Sequence, residues 1–201
     1  GFYVLYPEQK IENNAFNCFN QMLPYAAEKQ EAEFDAIMQM IHHMVTNFKV
    51  GRRNIFILGF SSGGQVANIL AATYPKLFSA AAIIGAGGYY CEPGHSGIRH
   101  FASCFGARAP KRRDRYFTSA LAEGHWPRIS IWHGKNDGNV PYEKMELAVT
   151  QWKRVHKISR KRHYKLLMQG NILYDAYKGP AGRTVVESYT LNNASHTIPV
   201  R

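Results

Sequence analysis

The sequence has few of the residues on which several classes of protein depend. It contains three cysteines among 201 residues, too few for a domain held together by disulfide bonds. Charged residues make up 19% and hydrophobic residues 45% of the chain, a balance that excludes a disordered or collagen-like protein. No apolar run approaches the roughly 20 residues that a membrane-spanning helix needs. We therefore expect a folded globular domain without a membrane span.

Motifs for metals, nucleotides and cofactors are also missing. No Cys-x-x-Cys or His-x-x-x-His spacing indicates zinc, and neither glycine-rich phosphate-binding pattern occurs. We expect no metal and no organic cofactor. Acidic residues are scarce, with 14 Asp and Glu against 25 Lys and Arg and a net charge of +11, which favours contact with anionic surfaces or polymers.

The first residues predict a strand. Phe2 to Tyr6 is a short apolar and aromatic run that Pro7 stops. The chain starts with Gly1 rather than Met, and nothing precedes this buried-looking run to provide a natural beginning. We expect residues 1–201 to be one domain that lacks its N-terminal part, including any signal peptide.

Helical and extended patterns alternate through most of the chain. An apolar stripe with helical spacing predicts a helix over residues 31–48. The continuous apolar runs at 54–58 and 80–84 are typical of buried parallel strands. Further predicted elements are a helix over 65–73, a strand over 128–132, a helix over 142–156, and strands over 164–168, 172–177 and 184–190. This alternation predicts an α/β layered fold with a mostly parallel sheet.

Ser61 lies in a G-x-S-x-G motif, Gly59-Phe60-Ser61-Ser62-Gly63. The motif directly follows a predicted buried strand and directly precedes a predicted helix. A nucleophile elbow needs this arrangement, because its serine sits at the tip of a sharp, strained turn. A simple Gly/Ser linking turn is the alternative. We favour Ser61 as a nucleophile.

A serine nucleophile needs a base, and the base needs an acid that orients it. In α/β-hydrolases the order along the chain is Ser, Asp or Glu, then His. The four aspartates are Asp35, Asp114, Asp137 and Asp175. Asp137 follows a predicted strand within a turn, at the end of the sheet where α/β proteins keep their chemistry. We therefore predict Asp137 as the acid.

Three of the nine histidines come after Asp137: His156, His163 and His196. The first two border a basic run that we interpret as a solvated face. His196 lies in a polar loop after the last predicted strand. Such a loop is expected to place a catalytic base next to the carboxyl ends of the strands. We predict His196 as the base, and we interpret His133, at the end of its strand, as structural.

With these residues in place, the chain resembles the polyhydroxybutyrate depolymerase and feruloyl esterase group of α/β-hydrolases over nearly its whole length. The resemblance is carried by Tyr6-Pro7-Glu8-Gln9, Cys18-Phe19-Asn20, the serine motif with Leu70 to Pro75, His133 to Asp137 with Val140-Pro141-Tyr142, and Val186-Glu187 with Ser195-His196.

The resemblance implies an α/β-hydrolase three-layer sandwich that lacks its first strands. It implies Ser61, Asp137 and His196 as the catalytic residues, in agreement with the choice made from the residues themselves. It also implies that the backbone N–H of Ser62 binds the oxyanion. The substrate contacts that it implies are Phe60, Phe19 and Asn20.

The chain departs from the family pattern in three places. The family's early His-Gly segment, which supplies another oxyanion donor, is absent. Phe19 stands where the family has Trp, and Ser195 stands where it has Gly before the final His. These departures bear on the oxyanion site, the substrate platform and the turn of the last loop.

We predict a serine carboxylic-ester hydrolase that works through an acyl-enzyme, with a polyhydroxyalkanoate, a feruloyl ester or an acetylated xylan as substrate. A serine peptidase of the same fold and a non-catalytic basic binding module are the alternatives. Nucleic acid is not an expected partner, and the oligomeric state stays open. Because relatives are commonly secreted or periplasmic, we expect this protein to be so too. The spacing of Cys91 and Cys104 allows a disulfide between them, and free buried thiols are the alternative.

Overall fold

The computed structural model describes residues 1–20, 27–51, 54–88, 126–159 and 163–199, without the side chains of 27–31. The helices and strands of these ranges are, in chain order, α1 (Ala27–Asn47), β1 (Phe56–Phe60), α2 (Ser62–Thr73), β2 (Ala80–Ile84), β3 (Arg128–Gly134), α3 (Glu143–Val155), β4 (His163–Met168), β5 (Ile172–Lys178) and β6 (Thr184–Leu191).

The strands form one six-stranded sheet in the order β1-β2-β3-β6-β5-β4. Strands β1, β2, β3 and β6 run parallel to one another, whereas β5 and β4 extend the sheet antiparallel. The carboxyl ends of β1, β3 and β6 therefore lie at the same edge of the sheet. Ligands of open α/β sheets bind outside this edge, and the three predicted catalytic residues follow these three strands.

The core lies between one face of the sheet and helices α2 and α3. Ile83, Ile131 and Val186 are fully buried on this face. Small residues of α2, such as Ala71, allow the helix to pack closely on them, and Trp152 of α3 joins the same cluster. Helix α3 has acidic residues in its first turn and basic residues in its last turn, which matches the helix dipole.

Helix α1 packs beside α2 through a second cluster. Its apolar stripe, predicted from helical spacing, places Ile37 against Val66 and Leu70, with Phe34 reaching both clusters. The opposite face of the sheet is more open. It carries Leu58, which is 69% exposed, and Leu166, which is 44% exposed.

The prediction of a strand over Phe2 to Tyr6 is wrong. These residues have no regular secondary structure, and Phe2 and Tyr6 are 88% and 84% exposed. A strand needs a neighbour to satisfy its backbone N–H and C=O groups. None of the six strands of the described residues pairs with this segment, so an apolar composition alone did not make it a strand.

The other predicted elements are present with shifted boundaries. Helix α1 begins at Ala27, earlier than predicted, and β1 ends at Phe60 rather than at residue 58. The two cysteines of the possible disulfide, Cys91 and Cys104, lie outside the described residues. Cys18 is a free cysteine. Within the described ranges, no helix has the length and hydropathy to cross a bilayer.

Candidate active site

Ser61 occupies a strained turn between β1 and α2. Its backbone has φ 53° and ψ −120°, a conformation that residues with a side chain rarely adopt. Two backbone contacts hold the turn: the Ser61 N–H donates to the carbonyl of Ile84 at 2.9 Å, and the Ser61 carbonyl accepts from Gln65 at 3.0 Å. This backbone conformation directs the Ser61 hydroxyl toward the carboxyl edge of the sheet.

Two glycines make this turn sterically possible. A Cβ on Gly59 would lie 2.0 Å from the carbonyl oxygen of Gly63, and one on Gly64 would lie 2.9 Å from the Cβ of Ala86. Both distances are too short for a real Cβ. Strand β1 and helix α2 therefore approach each other as closely as they do only because these positions lack side chains.

Asp137 is held by the turn that follows β3. Its Oδ1 accepts hydrogen bonds from the backbone N–H groups of Asn139 at 2.9 Å and Val140 at 2.8 Å. Its side chain is fully buried. Burial by itself raises the pKa of Asp137, but the hydrogen bonds from Val140, His196 and Asn139 outweigh it and hold the pKa below its ordinary value. Asp137 is therefore a carboxylate at neutral pH.

His196 joins this carboxylate to the serine. Its Nδ1 lies 2.7 Å from Oδ2 of Asp137, and its Nε2 lies 2.9 Å from Oγ of Ser61. Because a carboxylate only accepts hydrogen bonds, Nδ1 carries the proton. The free electron pair of Nε2 then faces the serine hydroxyl, and the side chain is 14% exposed, accessible enough for a proton to be exchanged with a bound molecule.

The loops that carry Asp137 and His196 are fastened to each other. Asn136 donates its backbone N–H to the carbonyl of Ala194 at 3.0 Å, and Lys135 donates to Leu191 at 3.0 Å. A Cβ on Gly134 would lie 2.1 Å from the carbonyl oxygen of Ser195. Ser195, which stands where the family has Gly, contacts Gly134 through its backbone and not through its side chain. The loop therefore still lies close to β3.

Two predicted site residues border this chain of hydrogen bonds. Ser62 is the first residue of α2, and the N–H groups at the start of a helix have no acceptor within the helix. Its predicted oxyanion role stays a prediction. Phe60, predicted to contact substrate, packs against the imidazole of His196 with the ring centres 4.6 Å apart.

Phe19 and Asn20 lie in the N-terminal region beside α1. Phe19 packs against the cluster around Ile37. Asn20 is 3% exposed, donates to the carboxylate of Glu33 through its backbone and its side chain, and accepts a hydrogen bond from Asn14. These bonds fasten residues 9–20 to α1, and their partners are none of Ser61, Asp137 or His196. Substrate contact by Phe19 and Asn20 stays a prediction.

Sequence reasoning missed Gly85. This residue follows β2 with a positive φ of 56°, and a Cβ there would lie 2.9 Å from the Phe60 ring and 3.2 Å from the His196 ring. Its signal in the sequence was a glycine directly after a buried strand. Among the residues that the structure describes, no cluster of three or more His, Cys, Asp or Glu side chains is arranged to hold a metal ion.

The chain was compared with solved structures and with curated proteins. It superposes on the acetyl xylan esterase from Aspergillus awamori with a TM-score of 0.58 and 19% identity, covering 84% of this chain and 63% of that one. The sheet and its serine turn thus define an α/β-hydrolase fold, which confirms the predicted fold class.

The family follows from the sequence comparisons. The model of the family described as esterase PHB depolymerase matches residues 1–117, more than half of the chain. Poly(3-hydroxyalkanoate) depolymerase C of Paucimonas lemoignei is 30% identical over 206 residues, 99% of this chain and 48% of the relative. Acetylxylan esterase of Coprinopsis cinerea is 28% identical over 94% of this chain and 55% of the relative. The chain belongs to the esterase PHB depolymerase family and spans about half the length of these curated relatives.

Proposed function

We propose that the protein is a serine carboxylic-ester hydrolase in which Ser61 is the nucleophile, His196 the general base and Asp137 the residue that orients the base. The observation that carries this proposal is the unbroken hydrogen-bond chain from Oγ of Ser61 through His196 to Oδ2 of Asp137, at 2.9 Å and 2.7 Å. A half-buried, strained serine with an imidazole at hydrogen-bond distance has the geometry of an activated nucleophile.

In the first half of the reaction, Oγ of Ser61 attacks the ester carbonyl while Nε2 of His196 takes its proton. The carboxylate of Asp137 keeps the proton of the imidazole on Nδ1 and stabilises the imidazolium that forms. The imidazolium then gives its proton to the leaving alcohol, and the acyl group remains on Ser61. The N–H of Ser62, at the positive end of α2, stabilises the oxyanion of the tetrahedral intermediate.

In the second half, a water molecule attacks the acyl-enzyme. His196 takes a proton from this water and returns it to Oγ of Ser61 as the acid leaves. All proton transfers pass through the same imidazole, whose orientation is set by Asp137 on one side and by the contact with Phe60 on the other.

The substrate we propose is a carboxylic ester carried on a polymer. The support is the similarity to a poly(3-hydroxyalkanoate) depolymerase and to an acetylxylan esterase, both named for esters of polymers. Candidates are therefore a polyhydroxyalkanoate and a xylan that carries acetyl or feruloyl groups. Because the family that the sequence resembles is commonly secreted or periplasmic, we further propose that the protein acts outside the cytoplasm.

Covalent labelling tests the nucleophile. A fluorophosphonate probe is expected to label the wild-type chain at Ser61, as located by peptide mass spectrometry, and to leave Ser61→Ala unlabelled. Labelling of Ser61→Ala at the wild-type rate would contradict the proposal, as would an unlabelled wild-type protein.

The substrate class is tested with three polymers under the same conditions. Release of 3-hydroxybutyrate from poly(3-hydroxybutyrate) is compared with release of acetate from acetylated xylan and of ferulate from feruloylated xylan, with Ser61→Ala as the blank. Hydrolysis of an aminoacyl anilide at a rate above that of p-nitrophenyl butyrate would indicate a peptidase instead.

A further inference from the structure

His133 lies beneath the residues of the candidate site. It is the penultimate residue of β3 and is 1% exposed. Its ring is packed edge-on against Tyr142 at 6.2 Å between centres. A buried histidine of this kind is most simply explained as filling space, but its two nitrogens are placed very differently.

The hydrogen-bond partners of His133 define its tautomer. Nε2 lies 2.8 Å from the carbonyl oxygen of Val140, which only accepts hydrogen bonds, so Nε2 carries the proton. Nδ1 is buried, and no hydrogen-bond partner for it is found among the described residues. Protonation would create a donor at Nδ1 with no acceptor, so the ring is neutral, and burial correspondingly lowers the pKa of His133.

The same nitrogen also lies near Asp137. Nε2 of His133 lies 3.4 Å from Oδ2 of Asp137, the oxygen that accepts the bond from His196. Val140 closes a ring of contacts: its N–H donates to Oδ1 of Asp137 at 2.8 Å while its C=O accepts from His133. The imidazole N–H of His133 thus ties the turn that holds the carboxylate to β3, beside the backbone bond from Asp137 N–H to Gly134 at 3.3 Å.

We propose that His133 is a positioning residue for Asp137: as a neutral imidazole, it anchors the 137–140 turn by donating its Nε2–H to Val140, and it keeps this polar group 3.4 Å from the carboxylate oxygen that faces His196. This inference rests on the proposed hydrolase function. The titratable groups around His133 are Asp137, His196 and, from α3, Glu143. A neutral His133 ring stabilises the carboxylate of Asp137 through its polar N–H. Because it carries no positive charge, it leaves His196 as the group that balances the charge of Asp137.

A matched pair of variants separates positioning from space filling. In His133→Gln, the side-chain N–H is as many bonds from Cα as Nε2 is in histidine. In His133→Met, the side chain is nearly as long but has no hydrogen-bond donor. With p-nitrophenyl butyrate, we expect His133→Met to lose about tenfold in kcat with little change in KM, since one hydrogen bond is worth about that factor. His133→Gln is expected to recover most of this loss.

The pH dependence of kcat/KM is a measurement that a purely structural role of His133 would not change. In His133→Met the polar Nε2–H group that lies 3.4 Å from Oδ2 of Asp137 is missing, so the carboxylate attracts positive charge on its other side more strongly. The acidic limb of kcat/KM is therefore expected to move to higher pH in His133→Met and to return in His133→Gln. Unchanged kcat and an unchanged acidic limb in His133→Met would overturn the proposal.

His156 provides the matched control. It is another buried histidine, with Nε2 3.0 Å from the carbonyl oxygen of Pro127, and it takes no part in the hydrogen-bond chain from Ser61 to Asp137. His156→Met is expected to lower the melting temperature and leave the acidic limb in place. A shift of the limb in His156→Met equal to that in His133→Met would also overturn the proposal.

Two further outcomes keep the tests distinct. If His133→Met does not fold, 15N NMR of the wild-type protein replaces it: we expect the Nε2–H tautomer at neutral pH, and a protonated ring or an Nδ1–H tautomer there would refute the inference. A wild-type chain that fluorophosphonate does not label would refute the proposed function itself. Labelled wild type with an unaffected His133→Met refutes only the role of His133.

Discussion

The described part of the chain contains two histidine–aspartate clusters built from nearly the same parts. In the first, His196 lies 2.7 Å from Asp137 and its ring lies 4.6 Å from that of Phe60. In the second, His163 lies 2.6 Å from Asp175 and its ring stacks on Tyr177, also at 4.6 Å. Local geometry alone does not distinguish a candidate catalytic pair from a structural one.

The clusters differ in where their residues come from. His163, Asp175 and Tyr177 lie on the adjacent strands β4 and β5, and His163 is the register partner of Tyr177. The cluster around His196 joins three loops at the carboxyl edge of the sheet, with Ser61 and His196 separated by 135 positions. Strand pairing is enough to produce the second cluster, whereas the first requires three loops to be held in place and includes a nucleophile on a strained turn.

The largest effect is expected from removing the nucleophile that only the first cluster has. Ser61→Ala is expected to lower kcat by about 10⁵–10⁶-fold, because no other group forms the acyl-enzyme. The measurement is p-nitrophenyl butyrate hydrolysis by purified protein. Residual activity above about 1% of the wild-type value would show that the hydrolysis does not depend on this serine.

Replacing the two aspartates compares the clusters directly. Asp137→Asn is expected to lower kcat by about 10⁴-fold, since an amide does not keep the imidazole in the correct tautomer. Asp175→Asn is expected to leave kcat within about threefold and to cost about 1–2 kcal/mol of stability through the lost hydrogen bond. Chemical unfolding and kcat are measured on both variants. Equal losses of kcat would assign the two clusters the same role.

The strained turn is tested by two glycines of the same motif. Gly59→Ala places a Cβ 2.0 Å from a backbone oxygen, whereas a Cβ on Gly63 meets no atom within 4 Å. We expect Gly59→Ala to unfold or to melt at least about 10 °C lower, and Gly63→Ala to keep or raise the melting temperature, since Ala stabilises helices by about 0.5–1 kcal/mol relative to Gly. Identical melting temperatures would refute the steric argument.

The aromatic neighbours of the two histidines give a smaller effect. Phe60→Leu is expected to lower kcat about three- to tenfold with KM nearly constant, because the ring supports His196. Tyr177→Phe, in the second cluster, is expected to leave both constants unchanged. A rise in KM for Phe60→Leu with constant kcat would instead support the predicted contact of Phe60 with substrate.

The smallest effect is a dependence of stability on acidic pH. The pKa of Asp137 is lower in the folded protein than its ordinary value of 3.8. The carboxylate therefore stabilises the fold above the ordinary value, and this stabilisation is lost as pH falls through the lower, folded pKa. Between about pH 4 and 2, wild type is expected to lose more stability than Asp137→Asn. Parallel melting curves over this range would contradict the expectation.

The pattern of the sequence predicted most of the sheet and both helices that flank it, because buried parallel strands are continuous apolar runs and surface helices have an apolar stripe. It failed at Phe2 to Tyr6, where the same composition stays exposed without a strand partner. Apolar residues show that a segment favours burial, but pairing depends on a neighbour elsewhere in the chain.

At the candidate site, the chemical identity of the residues was readable and their surroundings were not. Ser61, Asp137 and His196 followed from a motif, a chain order and elimination, and the structure places His196 within hydrogen-bond distance of both Ser61 and Asp137. His133 was interpreted as structural, and Phe60 as a substrate contact. Both interpretations lacked the distances that relate these side chains to Asp137 and His196.

The sequence by itself determined the α/β-hydrolase fold class, the family and the type of chemistry that a serine on a glycine turn favours, because these depend on local pattern and residue type. Only the tertiary structure decided how closely these residues meet and which side chains, such as His133 and Phe60, lie beside them. The reason is physical: hydrogen-bond geometry over 2.7–2.9 Å depends on how separate loops are packed against one another, and no local sequence signal encodes that packing.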